Sequence, residues 1–295
     1  MHLIHIEADG VRATIAPEAG GRLLQLEIRD GDATRPLLLA PDDPAALRTE
    51  PLAWGCYPMV PWPGRMEGAR FTWDGRACAL AANDGPHAIH GAGVYAAWTV
   101  DSASRNACRL GLELSDPWPF PGRAVHEIRL SPGEIVLRLE LHATGGVVFP
   151  GGLGWHPWFR RDVVPGEDPR VRLEATDIYE TRPDLIPTGR LLPVAGEADL
   201  REGPALGVRG LDCCYRGVRG PAAVRWGALE LTMASSPNVG HAVVHTPERG
   251  FCIEPQTCAP DTFNLAARGV EGSGIATVRP GAPLTAETRW SWRRI

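Results

Sequence analysis

The chain has 295 residues, of which 44% are hydrophobic and 22% are charged, as in ordinary globular proteins. This composition excludes a disordered or fibrous chain. The formal net charge is -5, and all 30 basic residues are arginines scattered along the chain, so no basic stripe is available for a nucleic acid. No apolar run approaches the roughly 20 residues that span a bilayer, and the first residues lack a signal-peptide pattern. We therefore expect a cytoplasmic protein without nucleic-acid or membrane partners.

Short β-strands dominate the pattern along the chain. The 34 glycines and 28 prolines interrupt it about every ten residues, which is typical of many strands joined by turns. The runs between these breaks are period-two or β-branched, and they are Arg12–Ile15, Leu23–Ile28, Trp98–Asp101, Val125–Leu130, Ile135–Leu141, Val171–Leu173, Ala228–Met233, His241–His245 and Thr285–Trp292.

Helical periodicity is weak by comparison. One short helix is predicted at Asp42–Arg48, with Asp42 as N-cap and Pro44 in the first turn, and a further helical turn at Leu265–Arg268. The strands are spread evenly, with no linker-like segment and no repeat of fixed period. The sequence therefore predicts an all-β protein in which residues 1–295 form one domain, a large antiparallel β-sandwich. A barrel or a propeller is the alternative architecture.

The cysteines and histidines do not form a recognisable metal motif. The seven cysteines are widely spaced except for Cys213 and Cys214, which predicts reduced and mostly buried thiols. His87 and His90 are three residues apart, so a strand would send them to opposite faces. His241 and His245 would share a strand face at a separation of about 13 Å, too far for one ion. We expect no metal and no cofactor.

Four segments carry more functional side chains than a sandwich requires. The first is a loop stiffened by three prolines that ends at Arg65, where a guanidinium group is held still; its alternative is a solvated surface turn. The second contains His90 between proline and glycine. The third places His156 between Trp155 and Trp158, although a lone histidine here is also compatible with a hydrogen-bonded core residue.

The fourth segment contains Glu254. Strand alternation puts Phe251 and Ile253 on one face and Glu254 on the other, immediately before a proline. A glutamate fixed at the end of an apolar strand is a candidate general base whose pKa is tuned by partial burial, whereas the alternative is an exposed strand residue. The flat indole faces of Trp155 and Trp158 suit the C–H faces of a sugar ring, although tryptophan also serves as core bulk.

Taken together, and in this order from about Arg22 to the C-terminus, these segments resemble the aldose 1-epimerase (galactose mutarotase) family. Arg65, in a proline-rich loop followed by Gly68, Phe71, Asp74 and Gly75, is similar to the family's sugar-contacting arginine. The matching segments are His90-Gly91 with Trp98 after it, Gly154-Trp155-His156-Pro157-Trp158-Phe159, Asp212 in Leu211-Asp212-Cys213-Cys214-Tyr215, and Glu254-Pro255-Gln256-Thr257 with Pro260-Asp261 and Asn264.

The resemblance implies a galactose mutarotase-like supersandwich and an isomerase that interconverts the α and β anomers of a free aldose. It implies catalytic roles for Glu254, His156 and His90, and substrate binding by Arg65 and Asp212. We add Trp155 and Trp158 as substrate contacts. The chain departs from the best-known members where they have asparagine, with Gly64 before the loop arginine and Trp155 before the second histidine, which leaves the preferred sugar open.

The chemistry requires one base and one acid. A proton leaves the anomeric hydroxyl, another reaches the ring oxygen, and reclosure after rotation changes the anomer. Each well-placed proton transfer contributes about 10²–10⁴-fold, without a metal or nucleotide. We expect Glu254, ionised at pH 7, to be the base and His156 the acid, on opposite sides of a sugar-sized hollow. His90 is expected to share the acid's role or to hydrogen-bond the ring side.

Three alternatives stay open. A hexose-phosphate mutarotase needs a cationic subsite, which Arg160 and Arg161 could supply. A non-catalytic sugar-binding protein would bind a sugar without ring opening. A glycoside hydrolase would need two apposed carboxylates, and only Asp212 accompanies Glu254. The expected partner is a small-molecule aldose, and the chain is expected to be a monomer or a homodimer.

Overall fold

A computed structural model describes residues 1–295. The first half of the chain contains the strands β1 (Ile4–Ala8), β2 (Val11–Ala16), β3 (Arg22–Asp30), β4 (Ala33–Pro36), β5 (Cys56–Met59), β6 (Arg65–Met66), β7 (Arg70–Trp73), β8 (Arg76–Ala79), β9 (Ala88–Ile89), β10 (Thr99–Ala103), β11 (Ala107–Leu114), β12 (Gly122–Ser131) and β13 (Glu134–Ala143).

The second half continues with β14 (Phe149–Gly151), β15 (Gly154–Phe159), β16 (Arg170–Glu174), β17 (Asp177–Thr181), β18 (Pro187–Pro193), β19 (Asp212–Arg216), β20 (Arg219–Trp226), β21 (Leu229–Ser235), β22 (His241–His245), β23 (Phe251–Gln256), β24 (Ala276–Val278) and β25 (Leu284–Arg294). The two α-helices are α1 (Ala46–Thr49) and α2 (Thr262–Ala267). Neither is long and apolar enough to cross a bilayer.

Two large antiparallel sheets form the body of the protein. The first has 11 strands in the order β1-β2-β3-β5-β15-β23-β22-β19-β17-β18, with β4 paired to β3. The second has eight strands in the order β10-β11-β12-β13-β25-β21-β20-β16. Three two-stranded ribbons, β14-β24, β6-β9 and β7-β8, complete the architecture. The predicted antiparallel β-sandwich is confirmed.

The hydrophobic core lies between the two large sheets. Inward residues alternate along each strand, as with Leu137 and Leu139 in β13 and Val244 and Ile253 in β22 and β23. One continuous cluster of 57 buried residues contains side chains from Ile6 to Trp290, so both ends of the chain pack into the same core. The opposite face of the 11-stranded sheet is free to carry polar groups.

All nine strands predicted from alternation are present, and all of them except β10, whose five residues are exposed, contribute buried apolar residues to this core. They correspond to β2, β3, β10, β12, β13, β16, β21, β22 and β25. The predicted helix at Asp42–Arg48 is wrong in its start. Helix α1 begins at Ala46, and Asp43 rather than Asp42 accepts the Ala45 N–H, so this side chain closes the turn before the helix. Helix α2 begins three residues earlier than predicted.

The loop before β10 depends on one glycine. Gly91 has φ of +73° and forms a parallel bridge with Val60, and a Cβ at this position would collide with the Val60 carbonyl group. By contrast, Gly85 has φ of +58° with open space around its Cα. Comparing substitutions at the two glycines therefore separates the cost of a positive φ from the cost of a steric collision at Cβ.

We expect Gly91→Ala to lower the free energy of unfolding by about 2–5 kcal/mol, because strain in the left-handed region adds to overpacking. Gly85→Ala should cost only about 1 kcal/mol, from the left-handed conformation alone. Urea denaturation of both variants measures the difference. Equal losses would contradict the close approach of Gly91 to Val60.

Candidate active site

Five neighbouring strands of the 11-stranded sheet, β5-β15-β23-β22-β19, form the floor of a cavity. Each strand contributes one polar side chain on the face turned away from the main core, and these are Tyr57, His156, Glu254, His245 and Asp212. The cavity has a volume of about 160 Å³. This is smaller than pockets for drug-sized ligands, about 300–1,000 Å³. The site therefore suits one small polar molecule.

Glu254 and His156 form a direct pair at the centre of this floor. Strand β15 pairs with β23 through Gly154–Gln256 and Trp158–Cys252, a register that places His156 opposite Glu254. The His156 Nε2 atom lies 3.2 Å from Glu254 Oε1, and the side chains are 6% and 3% exposed. The two predicted catalytic groups are therefore brought together side by side, rather than on opposite sides of the hollow.

Burial pushes both members of the pair toward their uncharged forms. Desolvation raises the pKa of Glu254 well above its ordinary value; the nearby charge of Asp212 raises it further, and that of Arg65 opposes both. Desolvation also lowers the pKa of His156, and His90 adds to that effect. The surroundings of the pair thus favour a carboxylic acid beside a neutral imidazole, which differs from the ionised Glu254 expected from the sequence.

His90 is held beside this pair by its own loop. Its backbone is left-handed, with φ of +59°, and its N–H donates to the Gly64 carbonyl while its Nδ1 accepts the Gly64 N–H at 3.2 Å. The His90 ring stands perpendicular to that of His156, with centroids 5.0 Å apart. Burial, with a contribution from Arg65, lowers the pKa of His90 to about 3, so its imidazole is neutral.

Arg65 and Asp212 both line the cavity. Arg65 begins β6 and is fixed by Asp84, whose Oδ2 accepts its Nε–H at 2.6 Å. Asp212 begins β19, and its Oδ2 lies 3.5 Å from His245 Nδ1. Both predicted binding residues are therefore partly exposed to the cavity, with charged atoms available for a polar ligand.

The two tryptophans predicted to contact substrate have different positions. Trp158 lines the cavity and is 7% exposed. The placement of Trp155 at the site is wrong, because its side chain is fully buried in the main core and donates to His126 Nε2 on the other sheet. The reason is alternation, since Trp155 and His156 are adjacent on β15 and must face opposite sides of the sheet.

Sequence reasoning missed three residues at the site, Tyr57, His245 and Asp84. Their signal is weak, because Tyr57 lies in a four-residue strand without clear alternation and Asp84 in a loop. The position of His245 four residues after His241 in β22 predicts that the two histidines share a strand face. The strands that pair with β22 must be known before this face can be recognised as the cavity floor.

The cationic residues proposed for a phosphate subsite lie elsewhere. Arg160 forms an ion pair with Asp162, and Arg161 donates to the carbonyl groups of Gly207 and Pro247. Neither residue lines the cavity. The arginine at the cavity wall is Arg65, whose Nε is paired with Asp84.

The cysteines are free, and six of the seven are buried, in agreement with the sequence. One group of side chains has residue types that suit a metal, since ligand atoms of His156, Cys252 and Glu254 lie within 4.8 Å of one another. Burial raises the pKa of the Cys252 thiol well above its ordinary value, and a protonated thiol is a poor ligand.

Two stacked antiparallel sheets and a buried acid–imidazole pair in a small cavity define a β-sandwich protein with an acid–base site. The aldose 1-epimerase family profile matches residues 2–291, and the chain belongs to this family. The chain is 24% identical over 274 residues to the uncharacterized Escherichia coli K12 protein YphB, covering 85% of this chain and 87% of that protein. The predicted family is confirmed.

Two further comparisons find proteins whose names contain galactose mutarotase. Galactose mutarotase of Sus scrofa is 32% identical over 161 residues, covering 48% of this chain and 44% of that protein. The crystal structure of a galactose mutarotase-like protein from Clostridium acetobutylicum matches with a TM-score of 0.89 at 18% identity, covering 99% of this chain and 95% of the other. The latter is a likeness of fold.

The raised pKa of Glu254 predicts the effect of removing its charge on stability. Because the folded-state pKa exceeds the unfolded value, ionisation above about pH 4.5 costs the folded state more than the unfolded state. Glu254→Gln should therefore raise the free energy of unfolding at pH 7 by about 1 kcal/mol or more, since one pKa unit corresponds to about 1.4 kcal/mol. The gain should vanish below the unfolded pKa.

Urea denaturation at a series of pH values measures this difference. The exposed Glu248 provides the control, because Glu248→Gln removes the same charge without relieving burial. A Glu254→Gln protein that is less stable than wild type at pH 7 would mean that the fold stabilises the carboxylate.

Proposed function

We propose that this protein is an aldose 1-epimerase, an isomerase that opens and recloses the ring of a free monosaccharide. The observation that carries the proposal is the contact between Glu254 and His156 at the floor of a cavity sized for one sugar, within a chain of this family. An acid and a base in contact, with polar groups around them, are the requirements of hemiacetal opening.

Proton accounting supports the pair as the reacting unit. The Glu254 carboxylate accepts the proton of the anomeric hydroxyl, and the His156 imidazolium donates one to the ring oxygen. Before the step the pair carries one titratable proton, on His156, which is then an imidazolium. After the step it again carries one titratable proton, now on Glu254. Ring opening thus converts a buried ion pair into a neutral pair, and burial favours that direction. Reclosure reverses the transfers on either face of the aldehyde.

The surrounding groups bind the sugar and prepare the ionised form. Arg65 and Asp212 are suited to hold hydroxyl groups through charge-assisted hydrogen bonds, and Trp158 offers an aromatic face. His90, neutral and perpendicular to His156, is placed to hydrogen-bond the ring side. A hydroxyl that donates to Glu254 lowers the pKa of its carboxyl toward the ionised state that the base requires.

We expect Glu254→Gln and His156→Asn to lower kcat/KM for mutarotation by about 10²–10⁴-fold each, because each removes one proton-transfer group. Polarimetry of a freshly dissolved α-sugar measures the rate, and galactose is a first substrate because the pig relative is named galactose mutarotase. Glu248→Gln should retain the wild-type rate. A folded Glu254→Gln protein with full activity would overturn the assignment.

A sugar phosphate is a less suitable substrate, because Arg160 and Arg161 are engaged away from the cavity. We expect kcat/KM for glucose to exceed that for glucose 6-phosphate by about tenfold or more, since an unpaired buried phosphate charge is costly. Coupled or polarimetric assays of the two sugars at equal concentration decide this. A preference for the phosphate would favour the hexose-phosphate mutarotase, and sugar binding without mutarotation would favour a non-catalytic binding protein.

A further inference from the structure

The His156 ring is oriented without a hydrogen bond at its second nitrogen. Its Nε2 faces Glu254, whereas its buried Nδ1 has no hydrogen-bond partner. Acid–base histidines are commonly oriented by a partner on the other nitrogen, which also fixes the tautomer. Something else must hold this ring in the plane that brings Nε2 to the carboxyl group.

Two aromatic rings stack with the imidazole. The centroid of the Tyr57 ring lies 4.7 Å from that of His156 and the centroid of the Trp158 ring lies 5.4 Å from it, each with an interplanar angle of 25°. Tyr57 Oη and Trp158 Nε1 donate to the same carbonyl group, that of Leu52, at 3.2 and 2.7 Å. The Leu52 carbonyl group therefore anchors both aromatic rings.

A guanidinium group lies against each of these two aromatic rings. Arg22 lies over Tyr57 with its Cζ 5.3 Å from the ring centroid, and Arg249 lies over Trp158 at 4.6 Å. Arg22 is fully buried and donates to three backbone carbonyl groups, those of Ala19, Pro51 and Trp54. The Tyr57 side of the stack is therefore anchored to the backbone rather than left to slide.

We propose that Tyr57 is a positioning residue, which holds the imidazole of His156 in register with Glu254 by stacking on it. The proposal rests on the proposed function of the pair. Tyr57 borders the cavity floor but is 0% exposed, so its main contact there is the ring of His156. Trp158 also borders the cavity and is 7% exposed, so more of its surface can meet a ligand.

Stacking also fits the charge that the mechanism places on His156. When the imidazole holds the proton, the faces of Tyr57 and Trp158 provide cation–π attraction inside a site that excludes water. In the neutral form the same contacts keep the ring plane fixed. Loss of one of these aromatic rings lets the imidazole of His156 tilt away from its 3.2 Å contact with Glu254. A misplacement of about 1 Å costs about 10²-fold in rate.

The test compares Tyr57→Leu, which removes the ring, with Tyr57→Phe, which keeps it and loses only the bond to Leu52. We expect Tyr57→Leu to lower kcat by about 10- to 100-fold with KM within about twofold, because the reacting geometry is lost while the sugar contacts remain. Tyr57→Phe should restore kcat to within about threefold of wild type. A rise in KM alone, or an unchanged kcat in Tyr57→Leu, would overturn the proposal.

The chain offers a matched control. Tyr179 stacks on another buried histidine, His241, with centroids 6.1 Å apart, and its hydroxyl group donates to a backbone carbonyl. Tyr179→Leu therefore removes a comparable tyrosine–histidine stack and should leave kcat within about twofold of wild type. An equal loss of kcat in both variants would indicate a general packing defect and contradict a specific role of Tyr57.

Nitrogen-15 NMR of the histidine side chains separates this proposal from the proposed function. In wild type and Tyr57→Phe, His156 should show one tautomer, and in Tyr57→Leu a mixture of tautomers or a broadened signal; Tyr179→Leu should change only His241. An unchanged His156 signal in Tyr57→Leu overturns the positioning role. If the signal changes as expected while wild-type protein shows no mutarotation, the positioning role stands and the epimerase proposal fails.

Discussion

The structure depends on burying a carboxyl group beside an imidazole in the middle of a sheet. Desolvation penalises the charge on each, so the pair is stable only as a unit that shares a proton, and the surroundings must tolerate both of its forms. Arg65 opposes the rise in the pKa of Glu254, whereas Asp212 adds to it. The balance of these neighbours sets how readily the ionised form of the pair is reached.

The 11-stranded sheet reconciles this polar centre with a stable fold by using its two faces differently. One face packs on the eight-stranded sheet through residues such as Trp155 and Ile253, while the other presents His156 and Glu254. The period-two rule makes this separation automatic, because neighbouring residues on a strand point in opposite directions. The polar face thus costs little core packing, and the packed core fixes the spacing of the five strands beneath the site.

Much of the fold and part of the site could be predicted from the sequence. Strong alternation, as in Ile135–Leu141, locates strands because a half-buried sheet demands it. The matched segments around Arg65, His90, His156, Asp212 and Glu254 do meet at one cavity. Trp155 could have been excluded by applying the same alternation to β15.

Other features depend on long-range pairing that no local pattern contains. The contact of Tyr57 with His156 requires β5 to lie beside β15, although about a hundred residues separate them in the chain. The direct contact between His156 and Glu254 likewise follows from the register of β15 with β23. The left-handed turn at His90 is a third case, because a histidine at φ of +59° is unusual and is held there by Gly64.

The acid–base pair sits in strand interiors, whereas the upper wall of the cavity comes from loops and strand ends, including Leu52, Leu185 and Pro187. Strand interiors are constrained by two hydrogen-bonded neighbours and a packed underside, whereas loops accept insertions and replacements. Under the proposed function, the residues that react and the residues of this wall that would influence sugar preference therefore lie in separable parts of the chain. Substitutions in this loop-built wall, by evolution or by design, could therefore change which hexose or pentose is accepted and leave the acid–base pair beneath it unchanged.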